Sequence, residues 1–179
     1  MEFSETKTYA NLLAAFSGES QARNKYTFYA AEAKKGGYIQ ISNIFTETAN
    51  NEKEHAEIWF NLLHGNKLPA TAGALADAAK GEFYEFSEMY KNFAEDAKAE
   101  GYNDIATLFT LVGKIEKEHC ERFEKLKANI DKGKVFKRDS MTVWICTNCG
   151  NVYVGESAPM QCAVCKKPQA YFEIKADNY

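Results

Sequence analysis

No apolar run in the 179-residue chain approaches the roughly 18 residues that would span a bilayer. The first residues, interrupted by Glu2, Glu5 and Lys7, have neither the basic start nor the apolar stretch of a secretory signal. An excess of one charge is missing too. The 22 basic and 25 acidic residues leave a formal net charge of −3, which gives no bulk attraction to nucleic acid or an anionic membrane. There are only three prolines, and hydrophobic residues make up 45%, which excludes a Pro-rich or disordered chain. The expectation is a cytoplasmic globular protein with neither a nucleic-acid nor a membrane partner. Cysteine is scarce before residue 145. Four of the five follow it as two CxxC pairs, a pattern that points to metal binding and away from a disulfide framework.

What is present divides near Gly133. Residues 1–134 are rich in Ala, Glu and Lys, with apolar residues at helical spacing; residues 135–179 are short extended stretches between turn formers. The first part is predicted to be an all-α four-helix domain, with helices over Thr6–Lys35, Tyr38–His64, Thr71–Lys98 and Tyr102–Ile130, separated by glycines. At ~1.5 Å per residue each is about 40 Å long, ordinary for an elongated four-helix bundle. The second part is predicted to be a small metal-stapled β module.

An internal repeat supports the four-helix reading. Gly37-Tyr38 through Glu52-x-x-His55 corresponds to Gly101-Tyr102 through Glu116-x-x-His119 at an offset of 64, and Tyr26 falls on Tyr90 at the same offset. Gly18-Glu19 falls on Gly81-Glu82 at an offset of 63. Each helix pair therefore has one helix with a Glu in an apolar stripe and one with ExxH. Residues three apart share a helix face, so Glu52 with His55, and Glu116 with His119, form paired donors. Carboxylates in apolar stripes are untenable without cations. A Glu from each of two helices plus Glu-x-x-His from each of the other two is the ligand pattern of di-iron and di-manganese bundles, and oxygen-rich donors favour iron or manganese over zinc or copper. In this reading Glu52 and Glu116 bridge two metals, while Glu19 and Glu82 are terminal. A single ExxH on a charged helix means little; two at one repeat offset, each with an upstream Glu, are specific. Glu85 is three after Glu82 and within reach of the same site. Glu88, six after Glu82, is left unassigned as a ligand, and His64, at a helix end with no partner pattern, reads as a surface residue.

Cys146-x-x-Cys149 and Cys162-x-x-Cys165 form one tetrahedral four-sulfur site. Spacing leaves the metal open between zinc, as a structural ribbon, and iron, as a one-electron carrier. Trp144, Tyr153, Tyr171 and Phe172 are expected to pack a small core around it, in a module too small to fold well without its metal. Cys120 has no CxxC partner and reads as a buried thiol or a surface residue.

Taken together, Gly18-Glu19-Ser20-Gln21-Ala22-Arg23-Asn24, Glu52-Lys53-Glu54-His55-Ala56, Gly81-Glu82 through Tyr90, Glu116-x-x-His119 and the cysteine knuckles resemble the rubrerythrin family over essentially the whole chain. The resemblance implies a ferritin-like di-iron domain followed by a rubredoxin-like module. It implies a non-haem peroxidase that reduces hydrogen peroxide at an oxo- and carboxylate-bridged di-iron site, with electrons passed through one iron in a four-cysteine site. The electrons would come from an NADH-linked reductase or a rubredoxin. By matching positions, the first iron uses Glu85 when oxidised and His55 when reduced, Glu82 and His119 complete the second, and Tyr26 and Tyr90 hydrogen-bond to ligating carboxylates. Family members relay electrons across a head-to-tail dimer, so a homodimer or higher homo-oligomer is expected. The second knuckle, Gln161-Cys162-Ala163-Val164-Cys165-Lys166, departs from the rubredoxin pattern, which has proline after the first cysteine and glycine after the second. The alternatives are a ferroxidase or iron-handling protein on the same bundle, which would not need the cysteine module, and a zinc-ribbon interaction protein.

Overall fold

The computed structural model describes residues 2–178. These divide into two compact units, one up to Leu68 and the other from Pro69 onward. The secondary structure falls in the expected class, two helical hairpins followed by a small, unclosed β-sheet. Among the described residues, no helix is long and apolar enough to cross a membrane.

The first unit is an antiparallel helix pair, α1 (Lys7–Lys35) and α2 (Ile39–Leu63). Thr6 starts α1, its hydroxyl accepting the Tyr9 amide at 3.1 Å. Gly37, at φ 80°, ends it: the Tyr38 amide reaches Ala33 O at 2.9 Å and the Gly37 amide reaches Lys34 O at 3.1 Å, a Schellman closure that needs the left-handed residue. Ser42, Ala49 and Ala56, seven residues apart, are the buried residues of α2. Small side chains let the two helices approach closely, and the Ser42 hydroxyl donates to Ala30 O across the seam at 2.8 Å.

The second unit opens with the equivalent pair. α3 (Thr71–Tyr84) and α4 (Tyr90–Ala99) both pack against α5 (Asn103–Asp131). The seam repeats the first at the offset of 64: Ala106, Gly113 and Cys120 stand where Ser42, Ala49 and Ala56 stand in the first pair. A Cβ on Gly113 would come within 3.3 Å of the Tyr90 Cβ. Cys120 is 3% exposed, and its Sγ donates to Ala79 O at 3.4 Å, so it is a buried seam residue. One expectation needs correction. The segment Thr71–Lys98 is not a single α-helix, because Glu85–Met89 form a π turn between α3 and α4.

After Gly133 the chain enters β1 (Lys137–Cys146), β2 (Val152–Ser157) and β3 (Phe172–Ile174), an antiparallel sheet in the order β2-β1-β3. Trp144 faces Tyr153 on one side and Ile174 on the other, and Cys146 pairs with Phe172. The core is Trp144, Cys146, Ala158, Cys162 and Phe172, with Phe136 and Cys165 packed against it. The buried Trp144 indole N–H donates to Gly155 O at 2.9 Å. Tyr153 and Tyr171, expected in this core, are at its surface, 42% and 38% exposed. Tyr171 lies under the Lys167 ammonium, 5.1 Å from its ring centre.

The seams make a prediction. Ala49→Leu, at a position only 4% exposed, overpacks the α1–α2 contact and should destabilise the protein by about 1–3 kcal/mol in chemical denaturation. An unchanged midpoint contradicts a close-packed seam.

Candidate metal centres

Each helix pair positions one three-residue donor set. In the first unit, α1 supplies Glu19 and α2 supplies Glu52 and His55, and their ligand atoms all lie within 4.8 Å of one another. His55 Nδ1 is 2.9 Å from Glu52 Oε2 and 3.9 Å from Glu19 Oε2. In the second unit, α3 supplies Glu82 and α5 supplies Glu116 and His119, within the same limit. His119 Nδ1 is 2.8 Å from Glu116 Oε2 and 3.8 Å from Glu82 Oε2. The sequence repeat is thus a repeat of site geometry to within 0.1 Å in each of these distances. Glu52 and Glu116 are the more enclosed carboxylates, with side chains 16% and 14% exposed.

The electrostatics call for a cation. Burial raises the Glu82 carboxyl above its ordinary range and the Glu116 charge adds to the rise; His119 opposes it, and Glu85 adds a lesser upward push. Burial likewise raises the Tyr90 phenol, with Glu85, Glu116 and Glu82 contributing. Two carboxylates and an imidazole on one side of a helix pair suit a hard-to-borderline ion such as iron. This donor chemistry fits one iron at each helix pair.

Glu85 opens the π turn, half-buried and close enough for its charge to act on both Glu82 and Tyr90. It is outside the three-residue cluster. Glu88, in the same turn, is exposed. Tyr26 stacks with Tyr29 and Phe45, and Tyr90 with Phe93 and Phe109, two ring clusters related by the repeat. His64 is half-buried at the end of α2, with Nδ1 2.8 Å from Phe60 O and its ring against that of Phe60, outside any donor set. The π turn was missed in the sequence, yet it left a signal there. The repeat offset is 63 at Glu19/Glu82 and 64 at Tyr26/Tyr90, so one extra residue lies between Glu82 and Tyr90. A single-residue insertion into an α-helix is absorbed as a π turn, a feature frequent at functional sites.

Cys146, Cys149, Cys162 and Cys165 come together in the tail with all four sulfurs within 4.8 Å. Cys146 Sγ is 3.7 Å from Cys165 Sγ, and Cys149 Sγ is 3.6 Å from Cys162 Sγ, distances of ligands around an ion and not of disulfides. The Cys165 amide, then that of Val164, holds the Cys162 thiol down to about 6. The Lys167 amide holds Cys165 below its usual range. At Cys149 the Asn151 amide also lowers the thiol, but burial and the three other sulfurs outweigh it and push it up to about 12. Four thiolates this close need a cation for all to ionise together, and the set fits a mononuclear tetrahedral iron.

The chain matches known proteins throughout. The family described as "Rubrerythrin" matches residues 10–127 and, in a second alignment, 73–143, while "Rubrerythrin, rubredoxin-like domain" matches residues 144–173. Rubrerythrin-1 of Clostridium acetobutylicum is 47% identical, with 97% of each chain covered. Rubrerythrin of Nitratidesulfovibrio vulgaris is 43% identical, again with 97% of each chain covered. Among solved structures, a partially reduced nigerythrin is 30% identical over 98% of this chain and 91% of its own, at a TM-score of 0.37.

The raised Glu82 gives a signed prediction for metal-free protein. A carboxyl whose folded value lies above its unfolded value adds no cost in acid, and destabilises the fold as the pH rises through the folded value. Metal-free Glu82→Gln should therefore melt higher than metal-free wild type at neutral pH, the difference closing in acid, while binding metal more weakly. A lower melting point at neutral pH contradicts the assigned charge crowding.

Proposed function

The chain belongs to the rubrerythrin family, and on that premise we propose that it is a non-haem di-iron peroxidase, reducing hydrogen peroxide to water with electrons relayed through its four-cysteine site. One observation carries this reading: a single chain holds two congruent Glu–Glu–His sets and a four-cysteine set. Reduction of one peroxide to two waters consumes two electrons and two protons. A pair of irons held by these residues would supply both electrons together, so no oxygen radical need escape.

The chain's own residues hold and tune that centre. Glu52 and Glu116 are assigned as bridging carboxylates and Glu19 as the terminal ligand of the first iron. Glu82 and His119 complete the second. Glu85 and His55 are assigned as alternative donors to the first iron, the carboxylate for the oxidised state and the imidazole for the reduced one. Two features support that exchange: the His55 side chain is half exposed, and Glu85 opens the π turn, where the helix has already left α register. Tyr26 and Tyr90 are assigned as hydrogen-bond donors that steady the carboxylates. Cys146, Cys149, Cys162 and Cys165 would hold one iron through four thiolates, a set that would pass electrons and leave no position for substrate.

Residues 1–134 are the proposed di-iron domain and residues 135–179 the proposed electron-relay module. A reductase or rubredoxin is the proposed donor, in the cytoplasm, with no nucleic-acid or membrane partner. A homodimer in which the tail of one copy serves the di-iron site of the other is also proposed. Its support is the length of α5, which runs on for a dozen residues beyond His119 to Asp131, about 18 Å, before β1 begins at Lys137. Two-fold dimers are the commonest oligomers.

Two experiments test this reading. In anaerobically reduced Cys149→Ser protein, rapid mixing with peroxide should consume about one equivalent per chain and then stop, because the di-iron site is intact and its relay is broken; failure to react even once contradicts the division of roles. For the dimer, the inactive variants Glu52→Ala and Cys149→Ser are mixed under conditions of subunit exchange. Partial recovery of turnover is expected, since each mixed dimer contains one sound di-iron site beside one sound tail. Absence of recovery despite demonstrated exchange rules out the cross-chain relay.

A further inference from the structure

The two cysteine knuckles have the same backbone hydrogen bonds, but the second carries lysines, Lys166 and Lys167, where the first has Gly150 and Asn151. In the first, the Gly150 amide bonds to Cys146 O at 2.8 Å and the Cys146 amide to Asn151 O at 2.9 Å. In the second, the Lys166 amide bonds to Cys162 O at 3.0 Å and the Cys162 amide to Lys167 O at 2.8 Å. Gly150 and Lys166 therefore occupy equivalent turn positions, and both are left-handed, at φ 75° and 61°. Glycine adopts that conformation freely, whereas a lysine is strained there.

The Lys166 side chain does not simply extend into solvent. It folds back so that Nζ donates to Ala163 O at 2.9 Å, the carbonyl between the two cysteines of its own knuckle. Its positive charge is thus tethered over the loop that presents Cys162 and Cys165. The neighbouring Lys167 is directed to the Tyr171 ring. The first knuckle, Cys146-Thr147-Asn148-Cys149-Gly150-Asn151, has no cation at all.

From this asymmetry we propose that Lys166 tunes the four-cysteine site, raising its reduction potential through a fixed positive charge beside the second knuckle. The proposal rests on iron being the metal of that site. Four thiolates and a ferric ion sum to a charge of −1, and accepting one electron from a one-electron donor makes a ferrous site of −2. A nearby cation stabilises the more negative state more strongly, so it favours reduction. Because Lys166 is exposed, the effect is modest and weakens with salt. A potential raised in this way eases loading of the relay by its donor.

The test is redox titration of the visible charge-transfer bands of the tail iron in full-length, iron-loaded protein, comparing wild type with Lys166→Gln, Lys166→Gly and Lys166→Arg. Gln keeps a polar side chain without the charge, Gly removes charge and strain together, and Arg keeps the charge. At the wild-type midpoint, the ferrous-to-ferric ratio should fall about threefold in the Gln and Gly variants, equivalent to ~28 mV at 59 mV per tenfold for one electron. The Arg variant should stay near wild type. An unchanged potential in Lys166→Gln, or an equal fall in Lys166→Arg, overturns the proposal while leaving the iron assignment intact. Absence of any titratable ferric band in the wild type overturns the iron assignment and the proposal with it.

Discussion

Concentrated negative charge is the constraint around which this chain is organised. Each helix pair aims two carboxylates and an imidazole at one point, and the tail does the same with four sulfurs. Left without cations, the Glu82 carboxyl and the Cys149 thiol resist ionisation, while backbone amides hold Cys162 and Cys165 below their usual range. The same crowding that strains the metal-free chain makes it a strong ligand for iron. In a tail whose five-residue core includes two of the four cysteines, metal ligation and folding would be coupled.

The helix seams serve this constraint. Ser42, Ala49 and Ala56 on one pair, and Ala106, Gly113 and Cys120 on the other, keep the paired helices close. Close helices hold Glu19 against His55 and Glu82 against His119 at nearly identical separations. The buried thiol of Cys120 is explained on the same terms. It fills the place of Ala56 in the repeat and hydrogen-bonds to a backbone carbonyl, with its proton held by burial.

Much of this was legible in the residue order, because the ligands repeat with the helices that present them. Glu52-x-x-His55 and Glu116-x-x-His119 are local motifs, readable from helical periodicity alone, and CxxC is more local still. Glu19 and Glu82 needed the repeat to single them out. The π turn at Glu85–Met89 escaped because helical periodicity tolerates a one-residue slip, and its trace was only the change of offset from 63 to 64. The exposure of Tyr153 and Tyr171 escaped for another reason: in so small a sheet, Trp144 and Phe172 already fill the interior. Lys166 was visible as a departure from the rubredoxin pattern, but its left-handed backbone and its contact with Ala163 required coordinates.

The central claim is that this one chain provides two Glu–Glu–His iron-binding sets, one on each helix pair, and a separate four-cysteine site. Iron content per chain, measured on fully loaded protein and on the double variant Glu52→Ala/Glu116→Ala, tests it most directly. The account predicts three irons per chain in the wild type, falling toward one in the double variant, with the visible bands of the thiolate-bound iron unchanged. A fully loaded wild type with a single iron per chain, or a double variant that keeps all three, would contradict it.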